Sequence, residues 1–139
     1  MSTTTGTGRT IERELTVPVG QADAYATVGT PEGWRRWLIE EGEIETLPDG
    51  RLHLKWDMGA SVQIEILDSV LNESIKTEWY APSEPGRTTV TFRVTPAPDG
   101  TRIALTETGF GGGDDWDRCY DATNEVWDFA LGRLAHALG

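Results

Sequence analysis

Trp116, Tyr120, Thr123, Trp127, Leu131, Leu134 and Leu138 recur at spacings of three and four along the last part of the chain. They therefore form one stripe on a helix of about two dozen residues. Asp114 is a candidate N-cap. Asp115 and Asp117 add negative charge at the positive end of the helix, and Arg133 and His136 sit near its negative end. A long helix with a single apolar side has to bury that side, so the preceding residues must supply an apolar surface for it.

Those residues read as strands. Ile11, Arg13, Leu15 and Val17 alternate with Glu12, Glu14 and Thr16, and Pro18 ends the run. A short helix is predicted over Gln21–Val28. Thr30-Pro31-Glu32 then starts a second, about two turns long, with a hydroxyl N-cap, proline at the first position and an acid beside it. That second helix carries Trp34, Trp37 and Leu38, with one tryptophan expected inside and the other facing solvent or a partner.

Pro48-Asp49-Gly50 and Pro98-Asp99-Gly100 mark hairpin turns, and Leu71-Asn72-Glu73 and Ser83-Glu84-Pro85-Gly86 mark weaker ones. Between them, strands are predicted near Glu43–Leu47, Arg51–Asp57, Ser61–Val70, Ser74–Ala81, Thr88–Thr95 and Thr101–Thr108. Short connections make neighbours antiparallel. The expected fold class is α+β: a curved antiparallel sheet of about six to seven strands, the N-terminal strand at an edge. The sheet wraps on the long C-terminal helix, with two short helices near the N-terminus.

Composition narrows the function. At 139 residues the chain suits one domain, read as 9–139 after a loose Ser/Thr/Gly tail at 1–8. Twelve basic against 23 acidic residues give a net charge of -11, which repels nucleic acid and anionic lipid headgroups. No apolar run reaches the roughly 18 residues of a membrane span, so stable membrane insertion is not expected. The single cysteine, Cys119, excludes an intramolecular disulfide and fits a reducing, cytoplasmic location. Two histidines and one cysteine make no metal-ligand spacing, so neither metal nor cofactor is expected.

Several blocks together resemble a known superfamily. They are the strand–Pro–short helix order, Thr30-Pro31-Glu32 with Trp37, the Gly-led strand Gly50–Leu54, and the strand pair Val62–Val70 and Ile75–Trp79. The segment Gly100–Phe110 and Trp127 complete the set. The chain is similar to the START-like, Bet v 1-like or helix-grip superfamily (SRPBCC). Within it, the likeness is closest to the branch named after the C-terminal domain of the heat-shock-protein ATPase activator. It departs from that branch at Leu71-Asn72-Glu73, which lacks the usual prolines, and at Tyr25, where Trp or Phe is typical. The resemblance implies a hydrophobic pocket between helix and sheet, used in the superfamily for ligand carriage, polyketide cyclisation or partner binding.

If Ile103 and Leu105 face inward, period 2 brings Glu107 to the same face. A carboxyl there can act as an acid or base; its structural alternative is to cap a backbone group or pair with an arginine. Trp56 and Trp79 end strands whose inward sets are Leu52-Leu54-Trp56 and Ile75-Thr77-Trp79. With Trp37, Trp116, Tyr120 and Trp127 they are candidate walls of a pocket for a flat or lipid-like ligand, or ordinary core.

Three functions follow as expectations. The first is binding of a small hydrophobic or aromatic molecule. The second is a cofactor-independent cyclase, dehydratase or isomerase using Glu107, with Tyr120 beside it. The third, implied by the family name, is a chaperone-associated interaction domain, although nothing else in the sequence indicates a protein partner.

Overall fold

The computed structural model describes residues 9–39, 42–56, 59–81 and 84–139; the expected tail at 1–8 lies outside the described residues. In chain order the elements are β1 (Ile11–Val17), α1 (Gln21–Val28), α2 (Pro31–Trp34), β2 (Gly42–Thr46), β3 (Leu52–Trp56), β4 (Ser61–Val70), β5 (Ser74–Tyr80), β6 (Arg87–Ala97), β7 (Gly100–Thr108) and α3 (Asp114–Leu138). The strands form one antiparallel sheet in the order β1-β7-β6-β5-β4-β3-β2. Six strands follow one another as a meander, and β1 closes the far edge against β7, with Ile11 opposite Glu107 and Val17 opposite Thr101.

Alternation gives each strand an inner face. Leu52 and Leu54, Val62 and Ile64, Ile75 and Thr77, Val90, Phe92 and Val94, and Ile103 and Leu105 are all buried on it. Register shifts between Ile66 and Asp68 on β4, and a bulge of this kind adds bend and twist to a strand. At the following turn Asn72 takes a positive φ of 63°, a left-handed conformation that asparagine adopts more readily than most residues other than glycine.

Near the N-terminus, the Thr30 hydroxyl accepts the Gly33 N–H at 3.0 Å, and Pro31 opens α2. The helix itself is one turn, shorter than predicted, and residues 35–38 continue as turns. Trp34 at its end and Trp37 in the turns that follow are both buried, which corrects the expectation that one would face outward. The reason lies at the end of α1, whose last carbonyls lack helical partners. The Trp34 indole donates to the Val28 carbonyl at 2.8 Å and the Trp37 indole to the Thr27 carbonyl at 2.9 Å.

Helix α3 starts at Asp114, with Gly113 rather than Asp114 as its N-cap. Gly113 holds φ at 103°, a conformation that disfavours any residue with a Cβ. Trp127, Ala130, Leu134 and Leu138 are buried, while Trp116, Tyr120, Thr123 and Leu131 are half-buried. All the buried positions of the stripe thus lie from Trp127 onward, and the N-terminal half is only partly covered.

Two arginines tie α3 to the start of the chain. Arg13 on β1 reaches Asp128 at 2.8 Å and Asn124 at 2.7 Å. Arg9 bonds the Gly111 carbonyl at 2.8 Å, pairs with Asp117 at 2.8 Å, and lies over the Tyr120 ring. Leu134→Ala should cost about 2–5 kcal/mol in urea unfolding, and Leu131→Ala roughly 1 kcal/mol. Equal losses at the two positions would contradict the burial of the helix described here.

Candidate functional site

Glu107 is the penultimate residue of β7, on the inner face two positions beyond Leu105, and only 5% exposed. Both carboxyl oxygens are held. The Trp127 indole N–H donates to Oε1 at 2.6 Å, and the Thr88 hydroxyl donates to Oε2 at 2.7 Å. Thr88 reaches it from β6, on the inward set that continues through Val90, Phe92 and Val94. Glu107 therefore neither caps a backbone group nor pairs with an arginine among the described residues; its partners are two neutral donors.

Burial pushes the Glu107 carboxyl above its ordinary pKa. The two hydrogen bonds pull the other way, and the negative field of Glu84 adds to the rise. A carboxyl in such surroundings keeps its proton into a pH range where surface carboxyls have lost theirs.

The aromatic residues singled out in the sequence fall into three places. Trp127 meets Trp79 at 5.6 Å and Trp37 at 6.5 Å between ring centroids, with Phe92 edge-on at 5.9 Å. This inner cluster surrounds the indole that holds Glu107. Trp116 and Tyr120 stand further up α3, packed edge-on against Phe110 at 6.1 and 5.2 Å. Trp56 belongs to neither group, and its indole donates to the Leu38 carbonyl at 3.0 Å. Of all the strands, β1 runs nearest to α3, and bulky rings fill the interval between the helix and the middle of the sheet.

Trp116 is wedged between two loops. A Cβ on Gly111 would lie 2.5 Å from its Nε1, and one on Gly86 would lie 3.0 Å from its Cζ2. Only glycine lets both backbones approach the ring so closely. Beside it, a groove of about 530 Å³ opens between the segment before β6 and the first turns of α3, lined by Glu84, Pro85, Asp115, Arg118, Cys119 and Ala122.

The Glu84 carboxyl at this rim is itself raised by burial, against a hydrogen bond from Cys119. Burial and the charge of Glu84 raise the Cys119 thiol to about 11. It stays protonated at neutral pH, so it is a poor nucleophile. The groove and the Glu107 site thus occupy the same end of the sheet and helix, coupled through the field of Glu84.

Sequence reading passed over four contributors. Thr88 and Phe92 had a signal, the alternation of β6. Phe110 had one as well, being the sole side chain within the run Gly109–Gly113. Glu84 had none, because its position at the rim depends on how a loop folds back toward α3.

A seven-stranded antiparallel sheet laid around one long C-terminal helix, with two short helices at the N-terminal side, is the helix-grip fold of the START-like superfamily. The sequence profile of the family described as Activator of Hsp90 ATPase homolog 1-like protein matches residues 19–139, and the chain belongs to that family.

Among solved structures, protein MLL2253 from Mesorhizobium loti is similar at 24% identity and a TM-score of 0.78, covering 94% of this chain and 96% of that one. CalU16 from Micromonospora echinospora is 18% identical with a TM-score of 0.70, covering 95% and 77%. The Aha1 dimer from Colwellia psychrerythraea is 14% identical with a TM-score of 0.73, covering 94% and 96%. At these identities the likeness is one of fold. No curated protein matches the chain by sequence. No helix among the described residues is long and apolar enough to cross a membrane.

The raised carboxyl has a consequence for stability. A group whose folded pKa lies above its unfolded value favours the fold at low pH, and that contribution is lost as pH rises through the folded pKa. Glu107→Gln keeps the shape and cannot titrate. In urea titrations its stability relative to the parent should therefore rise from pH 5 to pH 8. A flat difference over that interval would show that Glu107 ionises in the fold as it does in the unfolded chain.

Proposed function

We propose that the chain binds a small, mainly apolar or aromatic molecule between the sheet and the N-terminal half of α3, with the Glu107 carboxyl as its polar anchor. The observation that carries this reading is Glu107 itself: a carboxyl 5% exposed, on an otherwise apolar inner face, held by neutral donors without a countercharge among the described residues. Burying a carboxyl costs stability unless a use repays it, and a purely structural core would be better served by an apolar residue. The half-buried stripe of Trp116, Tyr120 and Thr123 supports the location, since that part of α3 has apolar surface still to cover. The groove at Glu84 and Cys119 supplies an approach from solvent. Admission of a guest requires the first turns of α3 to lift from the segment before β6, around the contact that Trp116 makes with Gly86 and Gly111.

A second reading rests on the same carboxyl. With its pKa raised by burial, Glu107 holds a proton at a higher pH than an ordinary carboxyl, which suits the acid–base role needed by a cofactor-independent cyclase, dehydratase or isomerase. Tyr120 and Glu84 would then orient the substrate at the outer end. Turnover depends on a substrate proton coming within hydrogen-bond reach of an oxygen that Trp127 and Thr88 now occupy, so the binding reading comes first. A chaperone-associated role is the third reading, supported by the family description alone.

Native mass spectrometry of freshly purified protein tests the proposal. The expected spectrum contains an adduct of small-molecule mass that disappears on denaturation, and Trp116→Ala or Glu107→Gln reduces its occupancy severalfold. A bare protein mass, together with unchanged tryptophan emission across a panel of fatty acids and aromatic polyketides, would remove the binding reading.

A further inference from the structure

The buried positions of α3 all lie from Trp127 onward, while Trp116, Tyr120 and Thr123 on the turns before it are half-buried. Each part is held to the start of the chain by its own arginine. Arg13 donates to Asn124 at 2.7 Å and to Asp128 at 2.8 Å, on either side of Trp127 in sequence. Arg9 holds the outer part, and does so at three successive places. Its Nη2 donates to the Gly111 carbonyl in the loop before the helix at 2.8 Å, and its Nη1 pairs with Asp117 in the first turn at 2.8 Å. The guanidinium also lies 4.9 Å from the centre of the Tyr120 ring, in the second turn. One side chain thus spans the entry loop and the first two turns of α3.

The two parts of the helix resist lifting unequally. Lifting at Arg13 would break the 2.6 Å bond between Trp127 and Glu107 and bring a buried indole to water. Lifting at Arg9 uncovers rings that already meet solvent in part, together with Phe110, which is buried edge-on against both Trp116 and Tyr120. Arg9 and Asp117 are themselves part-exposed, at 27% and 58%, so their attraction is modest and screened by salt. The Arg9 Nε is buried with no hydrogen-bond partner among the described residues, so the engaged guanidinium leaves one donor unused. A contact that is specific in direction but small in energy is suited to release.

We infer, on the binding reading above, that Arg9 is a clasp controlling entry to the site beneath α3. Engaged, it keeps the first two turns down over Phe110, with Trp116 seated between Gly86 and Gly111. Released, those turns swing up while Arg13, Trp127 and Glu107 keep the rest of the helix in place, and the guest passes between them and the segment before β6. The clasp re-forms over the bound guest, so it sets the speed of exchange and leaves affinity nearly unchanged. Because one arm is ionic, salt loosens it.

The probe is N-phenyl-1-naphthylamine, a neutral aromatic fluorophore, mixed with the full chain in stopped flow, with amide hydrogen exchange of the free protein read alongside. In Arg9→Ala, residues 111–120 should exchange about fivefold faster than in the parent, while strands β4 to β7 and residues 127–138 hold their rates. Probe association and dissociation should both quicken about threefold, with the dissociation constant within about twofold of the parent's. Added sodium chloride should raise both rates in the parent, but in neither Arg9→Ala nor Asp117→Asn. Probe exchange at the parent's rates in Arg9→Ala, or faster hydrogen exchange spread evenly over the chain, would overturn the clasp and leave the binding reading standing. A probe that binds neither protein would remove the binding reading itself, and the clasp's role in entry with it.

Discussion

The hydrogen bond from the Trp127 indole to Glu107 joins the last strand of the sheet to the helix laid across it. It fixes where α3 sits along its length, because an indole N–H and a buried carboxyl oxygen have few other partners available. With Trp127 so placed, the residues one, two and three turns onward, Ala130, Leu134 and Leu138, descend into the buried end of the core. The residues N-terminal to it come to lie over the open end. Arg9 and Arg13 hold the same helix from the side, through Asp117, Asn124 and Asp128. Polar contacts thus set the position of a helix whose stability comes mainly from its apolar stripe.

Placing a carboxyl at that junction is costly, and the molecule meets the cost only in part. Two neutral donors satisfy its oxygens, but no positive charge balances it among the described residues, and Glu84 adds a negative one nearby. The outcome is a protonatable group in an aromatic setting, with half-buried tryptophan and tyrosine on one side and a solvent-facing groove on the other. Such an arrangement suits a guest that is apolar in its body and offers one hydrogen-bonding group. The binding and proton-transfer readings proposed above both rest on this one carboxyl.

Much of the fold was legible because its signals are local. Alternation in β1 and β3 to β7, the Pro-Asp-Gly turns, and the Thr30-Pro31 start are each read within a few residues. The N-terminal strand was expected at an edge, and β1 pairs there with β7. Glu107 could be placed on the inner face by counting from Ile103, since period 2 carries through to the strand end. What it bonds to could not, because Thr88 is 19 residues away and Trp127 is 20, and only the packed fold brings them together.

The two tryptophans beside α1 were half-read for a similar reason. Sequence shows that Trp34 and Trp37 are three apart, but not that the end of α1 leaves carbonyls for both indoles. The division of the aromatic residues into an inner cluster, an outer pair and an isolated Trp56 likewise depends on how far α3 stands from each strand. Family resemblance and structure agree on architecture, and the chemistry at Glu107 is a property of this chain's own side chains.

The most direct measurement is an NMR titration that follows the Glu107 side-chain carboxyl carbon together with the Trp127 indole N–H. A buried, proton-retaining carboxyl bonded to that indole predicts a midpoint displaced upward from ordinary glutamate, with the indole resonance moving at the same midpoint. A carboxyl titrating at or below the ordinary value, or an indole that ignores it, would contradict the account.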